Sequence, residues 1–164
     1  VLNNILFNYY KVKGTEINYS NPDDFLVHKL LESKKGNAIS IGLLYIVLSR
    51  LLDINMQIIN IPKQFILAYF DTDPADIIEF EYPPEYIQFY MDGASGQIFS
   101  HKDVETYFKR ISVNPSASYF KAISNKRIIQ VLLEEYSKCF SDEKNSYKKH
   151  DLLSLASQLN DDDE

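Results

Sequence analysis

The sequence of 164 residues contains one cysteine and no tryptophan. A lone cysteine, Cys139, excludes a disulfide bond within the chain and a Cys-x-x-Cys redox or metal motif. Scarce cysteine is typical of reducing compartments, so we expect a cytoplasmic protein. Because it has no Cys-x-x-Cys partner and falls on a helix predicted near the C-terminus, we interpret Cys139 as a half-buried, unreactive thiol.

Positive charge is also scarce. The chain carries 17 Lys and Arg residues against 23 Asp and Glu residues, a net charge of −6, and has no basic stripe that could neutralise a row of phosphates. The most apolar stretch, 39–52, is interrupted by polar residues and is too short to span a bilayer. We therefore expect no nucleic-acid partner and no membrane partner, which leaves a protein or peptide of unknown identity.

The length fits one ordinary domain with an appendage. Apolar periodicity predicts a helix near the N-terminus that ends before Gly14, a loop over 15–22, and a second helix that begins at Asn21-Pro22. A third helix is predicted from the N-cap Asn37 to Leu52. Because this helix is apolar nearly all round, we expect the rest of the domain to enclose it.

From residue 56 onward, β-branched and aromatic residues predict an antiparallel sheet. The predicted strands cover 56–61, 65–70, 77–82 and 86–92, with turns at Pro62-Lys63, 71–75 and Pro83-Pro84. A turn at 93–96 follows. Ser100 and Asp103 are spaced as a capping box, which predicts a further helix.

Apolar residues at helical spacing predict a helical hairpin at the C-terminus, around a polar connection at 141–146. They are Ile129, Leu133, Tyr136, Phe140, Leu152, Leu155, Ala156 and Leu159. Two helices cannot bury both apolar faces alone, so the hairpin must dock on the sheet domain, on a partner or on further repeats. We predict a core with N-terminal helices over 1–112, and a docked hairpin with a solvated acidic tail over 113–164.

Two segments, 25–70 and 89–108, together resemble the bacterial SirB-type transglutaminase-like proteins. The resemblance rests on the helix start after Gly36, the turn from Pro62 to Phe65 into a strand, and the turn at Asp92. It implies an α+β fold with a transglutaminase/papain-like core, in which a central buried helix packs against an antiparallel sheet. It also implies that the C-terminal helices form a tetratricopeptide-like tail.

The resemblance places the Cys-His-Asp triad of transglutaminases on three positions of this chain; SirB-type proteins usually lack the cysteine as well. The nucleophile, two residues after the glycine, falls on Ala38, and the histidine falls on Gln64. Only Asp92 matches. A methyl group cannot attack or ionise, so the resemblance implies a catalytically inactive domain in which Asp92 holds its turn by accepting bonds from backbone N–H groups.

We therefore predict a protein- or ligand-binding, regulatory role, with a retained pocket at the degenerate site. The candidate ligand-binding residues are Asn37, Ala38, Ser40, Gln64 and Asp92. No metal or cofactor is expected, because the three histidines, His28, His101 and His150, are scattered and are predicted to lie at the surface. A tyrosine- and proline-rich segment around Pro83-Pro84 is either a recognition surface or a hairpin packed on its own sheet.

Two alternatives remain. One is a hydrolase or acyltransferase with a site rebuilt near Asp92 and Ser40, although the sequence offers Ser40 no activating base. The other is a homo-oligomeric scaffold assembled through the C-terminal helices.

Overall fold

The computed structural model of the protein describes residues 1–71 and 86–159. It confirms the α+β class. A π-type helical turn at Asn4–Tyr9 opens the chain. The α-helices are α1 (Val27–Ser33), α2 (Ala38–Leu51), α3 (His101–Arg110), α4 (Asn125–Ser137) and α5 (Ser146–Gln158), and the strands are β1 (Lys13–Thr15), β2 (Lys35–Asn37), β3 (Met56–Ile59), β4 (Ile66–Phe70), β5 (Ile87–Asp92) and β6 (Ile98–Phe99).

The main sheet is antiparallel, as predicted, with strand order β3-β4-β5-β6. Ile66 at the start of β4 pairs with Asp92 at the end of β5, so these two residues lie at the same end of the sheet. The predicted strand at 77–82 and the Pro83-Pro84 segment lie outside the described residues.

A second, parallel sheet joins β1 to β2. The sequence prediction of a loop over 15–22 missed that Thr15 belongs to β1. A three-residue strand has too little alternation to be recognised, and its partner lies about twenty residues away in the chain. This pairing holds β2 in place just before α2 begins.

Successive side chains of β4 point to opposite faces of the main sheet, and both faces are buried. Ile66, Ala68 and Phe70 pack with Phe108 of α3 and with Phe120. On the other face, Leu67 packs with Tyr45 and Ile46 of α2 and with Leu2 and Leu6 near the N-terminus. The sheet is therefore a layer between α2 and α3.

Helix α2 is less enclosed than predicted. One side is buried, including Ile41 and Ile46, but Val47 is 53% exposed and Leu51 is 75% exposed. The prediction that surrounding structure covers this helix all round is wrong for that side.

The helical hairpin of α4 and α5 is present, and its first helix begins at Asn125. The segment before it belongs to the core: Phe120 is buried in the α3 side of the sheet, and the Ile123 N–H donates a 2.9 Å hydrogen bond to the Ile58 carbonyl. The division of the chain at residue 112 stays a prediction.

Aromatic contacts dock the hairpin on the core. The rings of Phe25 and Tyr136 lie 6.2 Å apart, and the Tyr19 hydroxyl donates a 2.6 Å hydrogen bond to Glu135. The predicted apolar faces are incompletely covered, because Ile129 and Leu155 are both exposed. Among the residues that the structure describes, no helix is long and apolar enough to cross a membrane.

Candidate functional site

The start of α2 is built by the side chain of Asn37. Its Oδ1 accepts hydrogen bonds from the N–H groups of Ile39, at 3.0 Å, and Ser40, at 3.3 Å. Two otherwise orphaned donors of the first helical turn are thereby satisfied. Asn37 is fully buried, so its oxygen is committed to the helix and is not available to a ligand.

Ser40 completes the capping box and is also fully buried. Its Oγ accepts a 3.2 Å hydrogen bond from the Asn37 N–H and donates a 2.6 Å hydrogen bond to the Asp24 carbonyl. A Cβ atom at Gly36 would collide with this oxygen, so the glycine makes room for the hydroxyl. The geometry makes Ser40 a structural residue of the helix start.

Ala38, in the degenerate nucleophile position, is half-buried as the first residue of α2. Its carbonyl oxygen lies 2.7 Å from where a Cβ atom would be at Gly93. The start of α2 thus contacts the turn that follows Asp92. Helix N-termini favour negative charge, but a methyl group at this place supplies no nucleophile.

The Asp92 carboxylate organises the turn at 93–96. It accepts hydrogen bonds from the N–H groups of Ala94, at 3.3 Å, and Ser95, at 3.0 Å, and from the Ser95 hydroxyl, at 2.6 Å. The structure shows the turn contacts that the sequence predicted for this residue. A carboxylate engaged in this way holds the loop that contacts α2.

Gln64 is exposed and precedes β4. The next residue, Phe65, packs its ring 2.7 Å from where a Cβ atom would be at Gly42 of α2. Gln64 itself lines a groove of about 370 Å³ on the α3 side of the sheet. We call it the α3 groove, and its lining residues are Ile61, Gln64, Ile66, Gln97, Ile98, Phe99, Asp103, Val104, Thr106, Tyr107 and Arg110.

The floor of the α3 groove is apolar and its rim is polar. Ile61, Ile66 and Val104 are buried, whereas Gln64 and Arg110 are exposed. This composition, apolar walls with a few polar groups, is typical of small-ligand sites.

Contacts within the α3 groove orient its charged groups. The Arg110 guanidinium lies 5.4 Å from the centre of the Tyr107 ring, and the Tyr107 hydroxyl donates a 2.8 Å hydrogen bond to the Pro62 carbonyl. At the other end of α3, Asp103 caps the helix. Hydrogen bonds from the Ser100 hydroxyl and N–H hold the pKa of the Asp103 carboxyl below its usual range.

Ala38, Gln64 and Asp92 therefore belong to elements that meet at one end of the sheet, through the Ala38–Gly93 contact and the Ile66–Asp92 pair. The lining of the α3 groove includes Gln64 but neither Ala38 nor Asp92. A pocket shared by all three positions stays a prediction.

His101 corrects the prediction of three surface histidines. His28 and His150 are exposed, but His101 is half-buried. Its Nε2 lies 2.7 Å from the Ile87 carbonyl, and its Nδ1 lies 3.0 Å from the Tyr90 hydroxyl. A neutral ring that donates from Nε2 and accepts at Nδ1 satisfies both contacts.

Tyr90 is fully buried, and burial raises the pKa of its phenol well above the usual range. It therefore belongs to the core. Burial also raises the pKa of the Cys139 thiol, which favours the unreactive thiol form at neutral pH. No cluster of three or more potential metal-ligating side chains occurs within 1–71 and 86–159.

Sequence reasoning missed Gln97, Tyr107 and Arg110 as possible site residues. The capping box predicted α3, but the α3 groove forms only where that helix faces β4 and β6. No local pattern reports a contact between segments about forty residues apart.

Comparison with known protein families agrees with this architecture. A family profile described as the transglutaminase-like superfamily matches residues 1–134. The chain belongs to the transglutaminase-like superfamily. The matched region includes α2, the main sheet, α3 and most of α4, so the superfamily accounts for all of the elements around the candidate site.

Among curated proteins, the chain is similar to F-box only protein 21. It is 25% identical to the mouse protein over 131 residues, which are 79% of this chain and 20% of the relative. It is also 25% identical to the human protein, of which the match covers 19%. The chain thus spans about a fifth of the length of these relatives. No solved structure matches it.

Proposed function

We propose that this transglutaminase-like domain is catalytically inactive and acts as a protein- or ligand-binding, regulatory module. The observation that carries the proposal is the methyl group of Ala38 at the start of α2. That is the position on which the resemblance places the nucleophile of transglutaminases. Without a nucleophile there, the scaffold lacks the group that forms a covalent intermediate.

The other candidate groups have structural roles that support the proposal. Ser40 is buried and its hydroxyl donates a hydrogen bond to the Asp24 carbonyl. The rebuilt hydrolase or acyltransferase would therefore have no accessible hydroxyl at this place. The Asp92 carboxylate is engaged by its own turn. Gln64 can donate and accept hydrogen bonds but cannot act as a general base.

The α3 groove supports a binding role for the same end of the sheet. It contains Gln64, one of the predicted ligand-binding residues, and has an apolar floor. Its volume of about 370 Å³ falls at the small end of the range for ligand sites. A protein or peptide partner that inserts one or two residues there fits this size.

The relatives are compatible with a module that works beside other sequence. In F-box only protein 21 the similar region is about a fifth of a longer chain. We extend to this chain only the idea of a transglutaminase-like domain that works beside other sequence. We place this domain in the cytoplasm, on the same cysteine argument as before.

The catalytic half of the proposal is tested with mechanism-based probes. The purified protein is incubated with a fluorescent primary amine and a glutamine-containing protein, and separately with thiol- and serine-directed covalent probes. We expect no amine incorporation and no stoichiometric labelling at neutral pH. The Cys139→Ser variant is the matched control, because it removes any background labelling of the native thiol.

Turnover or labelling that Ser40→Ala or Asp92→Ala abolishes in a folded protein would establish the rebuilt enzyme instead.

The binding half of the proposal is tested by an NMR screen of small fragments against ¹⁵N-labelled protein. We expect saturable shifts that cluster on the Gln64 and Gln97 side-chain amides and are lost in Gln64→Ala. Hits that cluster on another surface would contradict the role of the α3 groove.

A second candidate function is a homo-oligomeric scaffold. It is favoured by the exposed apolar side chains of the hairpin: Ile129, Leu153 and Leu155. Sedimentation velocity over a hundredfold concentration range decides it. A concentration-dependent dimer that Leu155→Glu returns to monomer would support the scaffold, and a monomer throughout would reject it.

A further inference from the structure

The α3 groove carries its charges at opposite ends. Among the described residues that line it, Arg110 is the one cation and Asp103 is the one carboxylate. They are seven residues apart on α3, which separates their backbones by about 10 Å along the helix axis. A ligand lying along this helix therefore meets a positive end and a negative end.

Asp103 already accepts hydrogen bonds within the protein, whereas the charge of Arg110 is not paired with a described carboxylate. Asp103 Oδ2 accepts hydrogen bonds from the Ser100 N–H, at 2.8 Å, and from the Ser100 hydroxyl, at 2.6 Å. Arg110 is exposed and is held by its contact with the Tyr107 ring; no ion pair to it forms within 1–71 and 86–159. A guanidinium placed over an aromatic ring keeps its N–H donors free for a carboxylate.

Carbonyl groups at the end of α3 would oppose an anion near Arg110. The structure reduces this effect, because the carbonyls of Tyr107, Phe108 and Lys109 accept hydrogen bonds from the N–H groups of residues 111–113. The positive end of the groove therefore remains suited to an anion.

Between the two ends the groove is apolar below and amide-rich above. Ile61, Ile66 and Val104 form its buried floor, and the exposed side chains of Gln64 and Gln97 stand at its rim. A primary amide donates and accepts hydrogen bonds, as a peptide group does. An apolar side chain attached to a peptide group fits this combination.

We propose that the α3 groove binds the C-terminal residue of a partner polypeptide, with an apolar side chain on the floor and the terminal carboxylate on Arg110. The inference rests on the proposed binding function and names its ligand. A chain terminus carries the carboxylate and the apolar side chain on one residue, which suits a volume of about 370 Å³. An internal acidic side chain beside a leucine would need two residues and an exit for the chain.

The test is an NMR titration of the ¹⁵N-labelled protein with three short peptides. The first is acetyl-Gly-Leu with a free carboxylate. The second is the same peptide with a C-terminal amide. The third, acetyl-Leu-Glu-Gly amide, carries its carboxylate on an internal side chain.

We expect saturable shifts at Gln64, Gln97 and the Arg110 side chain with the free-acid peptide. The amide and the internal-glutamate peptide should bind at least about fivefold more weakly, because each loses the carboxylate from its proposed place. Arg110→Gln should weaken the free-acid peptide by a similar factor. Lys109→Gln, which removes the same charge from an exposed neighbour outside the lining, should not.

Equal binding of the acid and the amide overturns the proposal, as does equal weakening by Lys109→Gln. No saturable shift below about 10 mM free-acid peptide also overturns it, since that limit corresponds to less than about 3 kcal/mol of binding free energy. The comparison of the three peptides needs no mutation, so it holds even if Arg110→Gln misfolds. If the peptides fail to bind as expected and no catalysis is found, the proposed ligand class is wrong but the inactive binding module is not. Turnover or covalent labelling in the catalytic assays would instead show that the domain is not inactive.

Discussion

The hydroxyl of Ser40 donates a 2.6 Å hydrogen bond to the backbone carbonyl of Asp24, across 16 residues of chain. The same oxygen accepts a hydrogen bond from the N–H of Asn37. One buried side chain thus ties the start of α2 both to itself and to the segment before α1. The bond sets the orientation of the helix whose first residue is Ala38.

Replacing Ser40 with alanine should lower the free energy of unfolding by about 1–3 kcal/mol, because it leaves a buried carbonyl and N–H group without their partner. Chemical denaturation at neutral pH measures the change. Ser154→Ala, an exposed serine in α5, is the matched control and should stay within about 0.5 kcal/mol. A Ser40→Ala variant as stable as the control would mean that the hydrogen bonds contribute nothing.

Asp92→Ala should lower the free energy of unfolding by about 0.5–2 kcal/mol, since the turn at 93–96 loses three hydrogen bonds. Asp92→Asn keeps an acceptor oxygen and should lose less than half as much. Thermal and urea unfolding of both variants give the comparison. If asparagine costs as much as alanine, one acceptor oxygen is not enough and the turn requires both carboxylate oxygens.

Restoring the two lost chemical groups tests the assignment of the degenerate site. In a Cys139→Ser background, Ala38→Cys should give a thiol whose pKa is below its usual value of about 8.5, because it sits at the start of α2. Adding Gln64→His should lower that pKa further if the two side chains are within reach. Iodoacetamide alkylation rates measured against pH report both values.

Comparing the thiol pKa of the single and the double variant tests the two positions separately. If Ala38→Cys lowers the thiol pKa and adding Gln64→His does not change it further, position 38 is assigned correctly and position 64 is not. A thiol that titrates as a free cysteine in both variants would remove the assignment altogether, provided circular dichroism shows that the variants are folded.

Tyr90 predicts how stability changes at alkaline pH. Burial raises its pKa in the folded state above the value of about 10 expected when unfolded, so its contribution is present below pH 10 and is lost as pH rises beyond it. At pH 7, Tyr90→Phe should cost about 0.5–1.5 kcal/mol through the lost contact with His101. Above pH 10 this deficit should shrink by up to about 1.4 kcal/mol per pH unit.

Urea unfolding of both proteins at pH 7, 9, 10 and 11 gives the difference directly. The other tyrosines titrate in both proteins and cancel when the two are subtracted. A deficit that is constant across the whole range would show that Tyr90 ionises in the folded state as easily as in the unfolded state.

What the sequence predicts well is local. Asn37 begins α2 and Ser100 begins α3 because an N-cap and its partner lie within four residues of each other. The β-branched and aromatic residues of β4 and β5 also predict strands of an antiparallel sheet. Each of these features needs only neighbouring residues to be recognised.

What the sequence does not reveal depends on distant contacts. His101 is half-buried because Tyr90 and Ile87 lie beside it, and nothing in its own surroundings in the sequence indicates that. The exposed side of α2, with Val47 and Leu51, is as apolar as its buried side, so the sequence alone does not distinguish the two sides. The α3 groove likewise requires knowing that residues before β4 face a helix that begins at His101.

The N-terminal helix has a consequence for the order of folding. Asn3 donates a 2.8 Å hydrogen bond to the Gly96 carbonyl across 93 residues, whereas Ser40 reaches Asp24 across 16. Closing the longer loop costs more entropy and is rewarded only after β5 and its turn exist. We expect pulse-labelling hydrogen exchange to protect the amides of α2 first and those of 4–9 last; early protection of 4–9 would contradict this order. The residues that open the chain would then be held by its last contacts to form.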